Sequence, residues 1–460
     1  MSSLAGSRVV VVGLGRSGVA AARLCRSHGA DVTAIDHAPV EKLSAAAVGL
    51  RDVGVEVIAG DLSRFDFHPA SFVVISPGVP NFPSLLAAEA AGMAVIGEVE
   101  LACRFLPEVP VIAITGSNGK STTVTLVGEL LQAIGMKPFV GGNLGEPPCE
   151  IVPRPNAAGH LAAFDFDSVV LEISSFQAER VPTFRPQAAA LLNVSPNHLD
   201  RYDGFDHYVA AKGNIFQNQK ADDIAVAPVD DDRCVAQARR GDGELYRFGP
   251  SSFVSALYAY DADEIVDRRT GDRFARKDIR LSGDHNALNV CAALALISRF
   301  QPAADVVREL LARFEGLAHR IVRVAEVAGV TYYDDSKGTN VGATVAAVRG
   351  LPEKRVVLIA GGRDKLGSYE PLVEALRDRG RAAVLIGEAA PRLAEAIGDA
   401  VAIGHAASMD EAVAVASAMA QPGDAVLLSP ACSSFDMFRD YKHRGEVFVA
   451  AVRALARHPS

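Results

Sequence analysis

The chain has 460 residues, and its 46 basic and 55 acidic side chains give a formal charge of −9 at neutral pH. Apolar residues make up 49% and charged residues 22% of the sequence, which excludes a mostly disordered chain. The negative balance argues against a general nucleic-acid binder or membrane-surface binder, and the length predicts about three domains.

Short apolar runs alternate with helical stretches along the first hundred residues. Strands are predicted at 8–12, 32–35, 55–58, 72–75 and 94–96. Continuous apolar strands of this kind are typical of a parallel sheet that helices cover on both faces. We therefore predict a first α/β domain over residues 1–98.

The same alternation continues in two further blocks. In residues 99–316 we predict strands at 111–114, 168–173 and 188–193, a small antiparallel insertion over 222–282 and a buried helix over 286–300. In residues 317–460 we predict strands at 330–333, 355–359, 382–386 and 425–428, separated by alanine-rich helices. The sequence thus predicts three consecutive α/β domains.

The first strand runs into a Gly-x-Gly-x-x-Gly turn at residues 13–18, and Asp36 ends the next strand. Glycines at this spacing allow a tight turn and a close approach of the backbone to a phosphate, while an acid further along commonly binds a ribose hydroxyl. The context favours a nucleotide diphosphate site over a tight turn without a ligand. The motif does not distinguish NAD from UDP.

A second motif, Thr-Gly-Ser-Asn-Gly-Lys-Ser-Thr, occupies residues 115–122 between a buried strand and a helix. Backbone N–H groups of such a loop and the ammonium of Lys120 would bind the β- and γ-phosphates of ATP, and the hydroxyl of Ser121 or Thr122 would face Mg²⁺. The full Walker pattern has a glycine where this chain has Ile114. We therefore interpret the loop as a variant P-loop that binds ATP.

Polar residues follow other strands of the central block. Glu172 comes just after apolar strand residues, and His198 lies just past the next strand. Taken singly, each of these two residues fits a surface position better than a binding site. Parallel strands bring their carboxyl ends to one crevice, so the two residues are expected close to the P-loop. Together with the P-loop they favour a site for Mg²⁺ or phosphate. Lys212 lies on a predicted helix, where a lone lysine is usually solvated.

Three loops of the last block, at 334–340, 361–365 and 429–435, each follow a predicted strand, and they include Lys337 and Lys365. Together they favour an anion-binding crevice, although ordinary turns use the same Gly, Asp and Ser residues.

Three further features predict a cytoplasmic location. No apolar run approaches the roughly 20 residues that a membrane span needs, and the first residues lack the apolar segment of a signal peptide. The six cysteines are scattered, with no Cys-x-x-Cys, which argues against a disulfide framework or a cysteine-rich zinc site.

Taken together, the motifs resemble those of the Mur ligases, the ATP-dependent amide ligases of peptidoglycan precursor synthesis. The similarity covers essentially the whole chain, and it rests on residues 115–122, 141–145, 171–177, 197–202, 319–320, 334–340 and 428–436. It implies a Rossmann-like N-terminal domain that binds a UDP substrate, a central P-loop ATPase-like domain with a mostly parallel sheet, and a Rossmann-like C-terminal domain that binds an amino acid.

The resemblance also implies the reaction. ATP would phosphorylate the terminal carboxylate of UDP-N-acetylmuramoyl-L-alanine, and the amino group of D-glutamate would displace phosphate from the acyl phosphate to form an amide. Two Mg²⁺ ions would assist, and the protein would act as a monomer.

Carried over position by position, the resemblance implies the site residues, with Lys212 carbamylated. The catalytic positions are Lys120, Asn143, His198 and Lys212. The metal positions are Ser121, Glu172, His198 and Lys212. The ATP positions are Gly116, Ser117, Asn118, Gly119, Lys120, Ser121, Thr122, Asn286, Asn289, Arg320, Asp335 and Lys337. The UDP-substrate positions are Gly15, Arg16, Ser17, Asp36, Ser76, Pro77, Gly78 and Asn143. The D-glutamate positions are Thr339, Lys365, Ser434 and Phe435.

Three alternatives make different demands on the sequence. Folylpolyglutamate synthase and the sister Mur ligases share the P-loop domain, but the ligase that adds diaminopimelate or lysine typically has an Asn-Pro-Arg tripeptide, which this chain lacks. An NAD-dependent oxidoreductase would use the glycine-rich turn and leave the P-loop, Glu172 and His198 without a role. A non-catalytic nucleotide-binding scaffold would not need these residues either.

Overall fold

The computed structural model describes residues 4–63, 65–156, 158–197, 201–281, 283–364 and 368–457. Within these ranges the strands assemble into three sheets in which most neighbours run parallel. The predicted fold class, three consecutive α/β domains, is therefore confirmed. The residue bounds that we predicted for the domains stay a prediction.

The first sheet has the strand order β3-β2-β1-β4-β5, and all of its described pairings are parallel. Its strands are β1 (Arg8–Val12), β2 (Asp31–Asp36), β3 (Glu56–Ala59), β4 (Phe72–Ile75) and β5 (Val95–Gly97). Its helices are α1 (Arg16–Ser27), α2 (Ala45–Val48), α3 (Pro83–Ala90) and α4 (Glu98–Phe105). Successive β1 residues enter different core clusters, Val9 and Val11 on one face and Val10 and Val12 on the other. This burial of both faces explains the uninterrupted apolar run.

The second sheet has the order β14-β13-β12-β11-β10-β9-β6-β8-β7. Its strands are β6 (Val111–Thr115), β7 (Pro138–Gly142), β8 (Ser168–Glu172), β9 (Ala188–Leu191), β10 (Ile224–Pro228), β11 (Glu244–Pro250), β12 (Tyr258–Tyr260), β13 (Glu264–Asp267) and β14 (Asp272–Ala275). The helices of this part are α5 (Lys120–Ala133), α6 (Ser175–Ala178), α7 (Phe205–Gly213), α8 (Asp232–Ala238), α9 (Asp284–Ile297) and α10 (Ala304–Arg313). Because β6 lies between β8 and β9, the P-loop follows an inner strand of the parallel region.

The prediction of an antiparallel insertion over 222–282 was largely wrong. Strands β10, β11 and β12 extend the sheet in parallel, and only β13 and β14 run antiparallel. The short helix α8 joins β10 to β11 and returns the chain to the starting edge of the sheet, as a parallel connection requires.

The third sheet has the order β15-β16-β20-β17-β18-β19, with β15 antiparallel to β16 and the other described pairs parallel. Its strands are β15 (Val322–Val327), β16 (Val330–Asp334), β17 (Val356–Gly361), β18 (Gly380–Ile386), β19 (Ala402–His405) and β20 (Ala425–Leu428). Its helices are α11 (Val341–Gly350), α12 (Glu370–Arg379), α13 (Ala390–Ile397), α14 (Met409–Met419) and α15 (Tyr441–Arg457).

Contacts group the chain into two compact units. Unit 1 comprises Met1–Val194, Val209–Arg280 and Leu288–Phe314, and unit 2 comprises Ser195–Tyr208, Leu281–Ala287 and Glu315–Ser460. The first two sheets belong to unit 1 and the third belongs to unit 2. No helix in the described ranges is long and apolar enough to cross a membrane.

Candidate active site

A cavity of about 390 Å³ lies in unit 1 beside the glycine-rich turn. It brings together all of the predicted UDP-substrate positions. Its lining includes Gly15, Arg16, Ser17, Asp36, Ser76, Pro77, Gly78 and Asn143. Asn143 follows a strand of the second sheet, so the cavity joins the carboxyl edge of the first sheet to that of the second.

The glycines of the turn serve different purposes. Gly13 has φ +86°, and a Cβ there would lie 2.4 Å from Cγ2 of Val79. A Cβ on Gly18 would lie 1.7 Å from the carbonyl oxygen of Gly13, whereas one on Gly15 would meet open space. Two glycines therefore permit the tight packing of the turn, and Gly15 leaves room for a ligand.

Asp36 holds this turn in place. Its Oδ2 accepts a hydrogen bond from the backbone N–H of Leu14 at 2.6 Å, and its Oδ1 accepts one from Ala38 at 2.8 Å. The Ser76 hydroxyl donates to the carbonyl oxygen of Gly13 at 2.8 Å. Because a carboxylate oxygen can accept more than one hydrogen bond, Asp36 can brace the turn and still accept from a sugar hydroxyl.

The P-loop connects β6 to α5 through two glycines with positive φ, Gly116 at +151° and Gly119 at +83°. A Cβ on Gly119 would lie 2.3 Å from Oδ1 of Asn289, one of the predicted ATP positions. The close approach of Asn289 and the left-handed backbone both require glycine at this point. The loop is thus built in the strand–loop–helix arrangement that the motif predicts.

Asn193, which sequence reasoning left without a role, braces the P-loop from the end of β9. Its carbonyl oxygen accepts from the backbone N–H of Ser117 at 2.9 Å, and its Oδ1 accepts from that of Asn118 at 2.9 Å. Its Nδ2 donates to the carbonyl oxygen of Asn118 at 3.1 Å. The signal that could have found it is an amide side chain placed directly after a buried strand that neighbours the P-loop strand.

Two lysines meet at the carbonyl oxygen of Gly116. Nζ of Lys120 donates to it at 2.8 Å and to the carbonyl oxygen of Ser117 at 2.9 Å. Nζ of Lys212 donates to the same Gly116 oxygen at 2.9 Å and to the Thr115 hydroxyl at 3.4 Å. Only 2% of Lys212 is exposed, so its expected place on a solvated helix face is wrong.

Burial lowers the pKa of Lys212 well below its ordinary value, and the positive charge of Lys120 lowers it further. A lowered pKa raises the fraction of neutral amine at neutral pH, because removing the ammonium from water disfavours its charged form. The neutral amine is the nucleophilic form of lysine, so burial favours that form at this position.

Glu172 ends β8 next to the P-loop strand, and only 2% of it is exposed. Nδ2 of Asn143 donates to its Oε1 at 2.6 Å, and the backbone N–H of Asn143 donates to its carbonyl oxygen at 2.8 Å. Asn143 therefore lines the cavity described above and also donates to the carboxylate of Glu172 beside the P-loop.

The residues around the P-loop fit a magnesium ion. Oε2 of Glu172 and the hydroxyl of Thr122 are buried and have no hydrogen-bond partner among the described residues, a costly state unless a cation or a ligand binds there. Carboxylate and hydroxyl oxygens are hard ligands of the kind that Mg²⁺ prefers. The described residues contain no cluster of three His, Cys, Asp or Glu side chains that could hold a metal ion.

In unit 2 the three predicted loops follow β16, β20 and β17, which are neighbours in the sheet. Asp335 is buried in the first of them and accepts from the Ser429 hydroxyl of the second at 2.6 Å. Burial raises the pKa of Asp335 to about 7.

Arg444, also unassigned from the sequence, is fully buried and donates to the carbonyl oxygens of Ser336 at 2.9 Å and Cys432 at 3.3 Å. These contacts join two loops of the predicted crevice, and no sequence pattern around Arg444 predicts them.

The other predicted positions of unit 2 differ in their surroundings. Nζ of Lys337 lies 4.0 Å from the ring centre of Tyr441. Ser434 is buried, whereas 66% of Phe435 is exposed. Thr339, Arg320 and Asn286 also lie in this unit, with Arg320 between two residues of positive φ and Asn286 in the first turn of α9. His198 and Lys365 lie outside the described residues.

Three family models match the chain in order. Residues 7–97 match the Mur ligase MurD-like N-terminal domain, residues 114–297 the Mur ligase middle domain, and residues 319–432 the Mur ligase glutamate ligase domain. The UDP-N-acetylmuramoylalanine–D-glutamate ligase of Geotalea daltonii is 43% identical over 98% of both chains, and that of Koribacter versatilis is 42% identical over 98% of both.

Solved structures share the fold at lower identity. The MurF ligase of Thermotoga maritima, crystallised with ADP, has a TM-score of 0.60 at 17% identity and covers 100% of both chains. The UDP-N-acetylmuramate–alanine ligase MurC of the same organism has a TM-score of 0.58 at 18% identity and covers 97% of this chain and 99% of its own.

Proposed function

The chain belongs to the Mur ligase family, and on that premise we propose that it is the ATP-dependent ligase that joins D-glutamate to UDP-N-acetylmuramoyl-L-alanine. Relatives named UDP-N-acetylmuramoylalanine–D-glutamate ligase match nearly the whole length of this chain at 41–43% identity. The products would be the extended UDP-linked precursor of peptidoglycan, ADP and phosphate.

One observation carries the proposal beyond the names of relatives. Asn143 lines the cavity that suits a UDP substrate and also donates to Glu172 beside the P-loop. A UDP-linked substrate in that cavity would therefore have its far end next to the loop that suits ATP phosphates. This proximity is what phosphoryl transfer from ATP to the substrate requires.

In the reaction we propose, a carboxylate oxygen of the L-alanine moiety attacks the γ-phosphorus of ATP, and the bond between that phosphorus and ADP breaks. The amine of D-glutamate then attacks the acyl carbon, loses a proton and expels phosphate. Lys120 and the N–H groups of the P-loop would bind the phosphates and offset their negative charge. Asn143 would hold the acyl phosphate through its amide, with His198 as a further ligand.

Glu172, the Ser121 hydroxyl and His198 would hold Mg²⁺, which when bound would supply positive charge to offset the negative charge of the phosphate oxygens. For Lys212 we propose carbamylation. Its neutral amine attacks the carbon of CO₂, a nitrogen–carbon bond forms as the electron pair of one C=O π bond moves to oxygen, and the nitrogen gives its proton to water. The buried cation thus becomes an anion, which removes the repulsion between Lys212 and Lys120 and supplies an oxygen ligand for a second Mg²⁺.

The remaining assignments follow the sequence. We propose that Asn286, Asn289, Arg320, Asp335 and Lys337 serve ATP. Thr339, Lys365, Ser434 and Phe435 would surround D-glutamate. We further propose that the protein acts on these small molecules as a monomer in the cytoplasm.

The test is phosphate release from ATP in the presence of UDP-N-acetylmuramoyl-L-alanine and a panel of amino acids. D-Glutamate alone should support turnover. Turnover with L-alanine, diaminopimelate or lysine would assign the chain to a sister ligase, and absence of turnover with every amino acid would favour a non-catalytic nucleotide-binding protein.

A further inference from the structure

A row of amide side chains follows Lys212 and fastens the end of α7 to the segment after α6. Asn214, Gln217, Asn218 and Gln219 form this amide row. Their side-chain N–H groups donate to the carbonyl oxygens of Ala178 at 2.9 Å, Val181 at 3.0 Å, Phe184 at 3.0 Å and Pro186 at 3.1 Å. The sequence motifs give none of these four residues a role.

Asn214 is the member of the row nearest to Lys212 in the sequence. It comes two residues after Lys212, and its acceptor Ala178 ends α6, the helix that begins shortly after Glu172. That helix starts with a capping box, in which Ser174 Oγ accepts from the backbone N–H of Gln177 at 3.2 Å and Gln177 Oε1 accepts from that of Ser174 at 2.9 Å. The connection from Glu172 through Ala178 and Asn214 to Lys212 is therefore short and fixed by hydrogen bonds.

Arg240 orients the Asn214 amide. One guanidinium nitrogen donates to Oδ1 of Asn214 at 2.8 Å, and another donates to the carbonyl oxygen of Ala210 in α7 at 2.7 Å. Since a guanidinium can only donate, Oδ1 must face Arg240 and Nδ2 must face Ala178. At the same point a Cβ on Gly213 would lie 2.0 Å from Oε1 of Gln237, so a larger residue directly after Lys212 would have to displace the Gln237 side chain.

We propose that Asn214, oriented by Arg240, is a positioning residue that fixes Lys212 relative to Glu172. The proposal rests on the function proposed above for Lys212 and extends it to residues that touch no substrate. A displacement of about 1 Å at a reacting group can lower turnover by as much as about a hundredfold, so one hydrogen bond at the end of α7 is enough to matter.

The test is the variant Asn214→Asp, which keeps the size of the side chain and the acceptor for Arg240 but turns a carboxylate oxygen toward the carbonyl of Ala178. We expect kcat to fall about tenfold or more while KM for ATP changes less than about twofold, because only the geometry of Lys212 is disturbed. Arg240→Gln, which frees the amide to rotate, should change the two parameters in the same way.

Asn218→Asp is the matched control. Its amide donates to carbonyl oxygens of the same segment, at Pro182 and Phe184, but it lies one turn further from Lys212. It should lower the temperature at which unit 1 unfolds about as much as Asn214→Asp does, and it should leave kcat within about twofold. Equal losses of kcat in both variants, or an unchanged kcat in Asn214→Asp, would overturn the proposal.

Lys212→Ala, measured in parallel, distinguishes a failure of the role proposed for Lys212 from a failure of the positioning role proposed for Asn214. If Lys212→Ala itself keeps full activity, the proposed function of Lys212 fails. If Lys212→Ala is inactive and Asn214→Asp is fully active, only the positioning role fails.

Discussion

At the scale of single residues, the site depends on a conflict between two cations. Lys120 and Lys212 donate to the same carbonyl oxygen of Gly116, and like charges this close repel strongly where water is scarce. The conflict ends when one of them loses its charge. Because Lys212 is buried and Lys120 is less so, Lys212 is the one whose pKa falls.

This conflict leads to a prediction for Lys212. Lys212→Ala should lower turnover by about two orders of magnitude, as the loss of an electrostatic group at a phosphoryl-transfer site commonly does. Acetate should restore part of the activity by placing a carboxylate in the vacated space. Lys212→Arg, which keeps the charge and cannot form the carbamate, should stay as inactive as Lys212→Ala. Full activity in the arginine variant, in a phosphate-release assay, would contradict the carbamate.

A second residue-scale prediction concerns Asp36. Its carboxylate braces the glycine-rich turn and lines the cavity that suits UDP. Asp36→Ala should therefore raise KM for the UDP substrate about tenfold or more and change KM for ATP much less, because a hydrogen bond to a carboxylate is worth roughly 1.5–3 kcal/mol. Steady-state kinetics with each substrate varied in turn would check this. A larger effect on ATP would mean that the two nucleotide sites have been exchanged.

At the scale of elements, sequence reasoning succeeded where strands are buried on both faces. The run at 8–12 was found at its observed bounds because successive residues enter different cores, so that both faces of the strand are buried. The strands that were missed lack a continuous apolar run that is buried on both faces. Strand β7 contains a proline and two glycines, and β15 and β19 are edge strands whose residues are largely exposed or half-buried.

The candidate site also contains residues that were predicted and residues that were missed. The P-loop and the glycine-rich turn were predicted from local loop chemistry, whereas the resemblance to the Mur ligases implied the other predicted positions of the cavity lining, Ser76, Pro77, Gly78 and Asn143. Sequence reasoning assigned no role to Asn193 or to the amide row, because their hydrogen bonds join segments that the tertiary fold brings together.

Helix α4 supplies a prediction at this scale. Glu98 begins the helix, is almost fully buried, and accepts from the backbone N–H of Cys149 at 2.7 Å, while its Oε2 has no partner among the described residues. Burial raises the pKa of Glu98 from 4.5 to about 7. Between these values the folded chain binds a proton that the unfolded chain releases, so this group's contribution to stability falls as pH rises from 4.5 to 7 and then levels off.

Glu98→Gln keeps the acceptor for Cys149 and cannot titrate. Relative to the parent protein it should gain stability between pH 5 and pH 8, by roughly 3 kcal/mol at most. Urea unfolding at the two pH values measures the gain, with the exposed Glu108→Gln as a control that should show none. An equal difference from the parent at both pH values would show that Glu98 does not titrate in this range.

At the scale of the whole molecule, the chain forms two compact units with separate cores. The cavity proposed for the UDP substrate and the P-loop belong to unit 1, and the loops proposed for D-glutamate belong to unit 2. Each unit has enough buried apolar surface to unfold cooperatively, so the protein as a whole is not expected to follow one two-state transition.

Calorimetry should therefore resolve two transitions. UDP should raise the temperature of one of them and leave the other unchanged, because a ligand stabilises the unit that binds it, by about 2.7 kcal/mol at a hundredfold excess over Kd. Inorganic phosphate at equal ionic strength serves as the control. A single transition, or an equal shift of both, would show that the units unfold together.

The Asn118–Gly119 pair of the P-loop has a consequence for the lifetime of the protein. An asparagine side chain before glycine is the form most prone to deamidation, because the following nitrogen is unhindered and can close a succinimide ring. Gly119 cannot be replaced to slow this reaction, since Asn289 fills the space where a larger side chain would lie. Each conversion would place a new negative charge on the loop that is meant to receive phosphates. Stored enzyme should therefore lose affinity for ATP as it ages, and bound nucleotide should delay that loss.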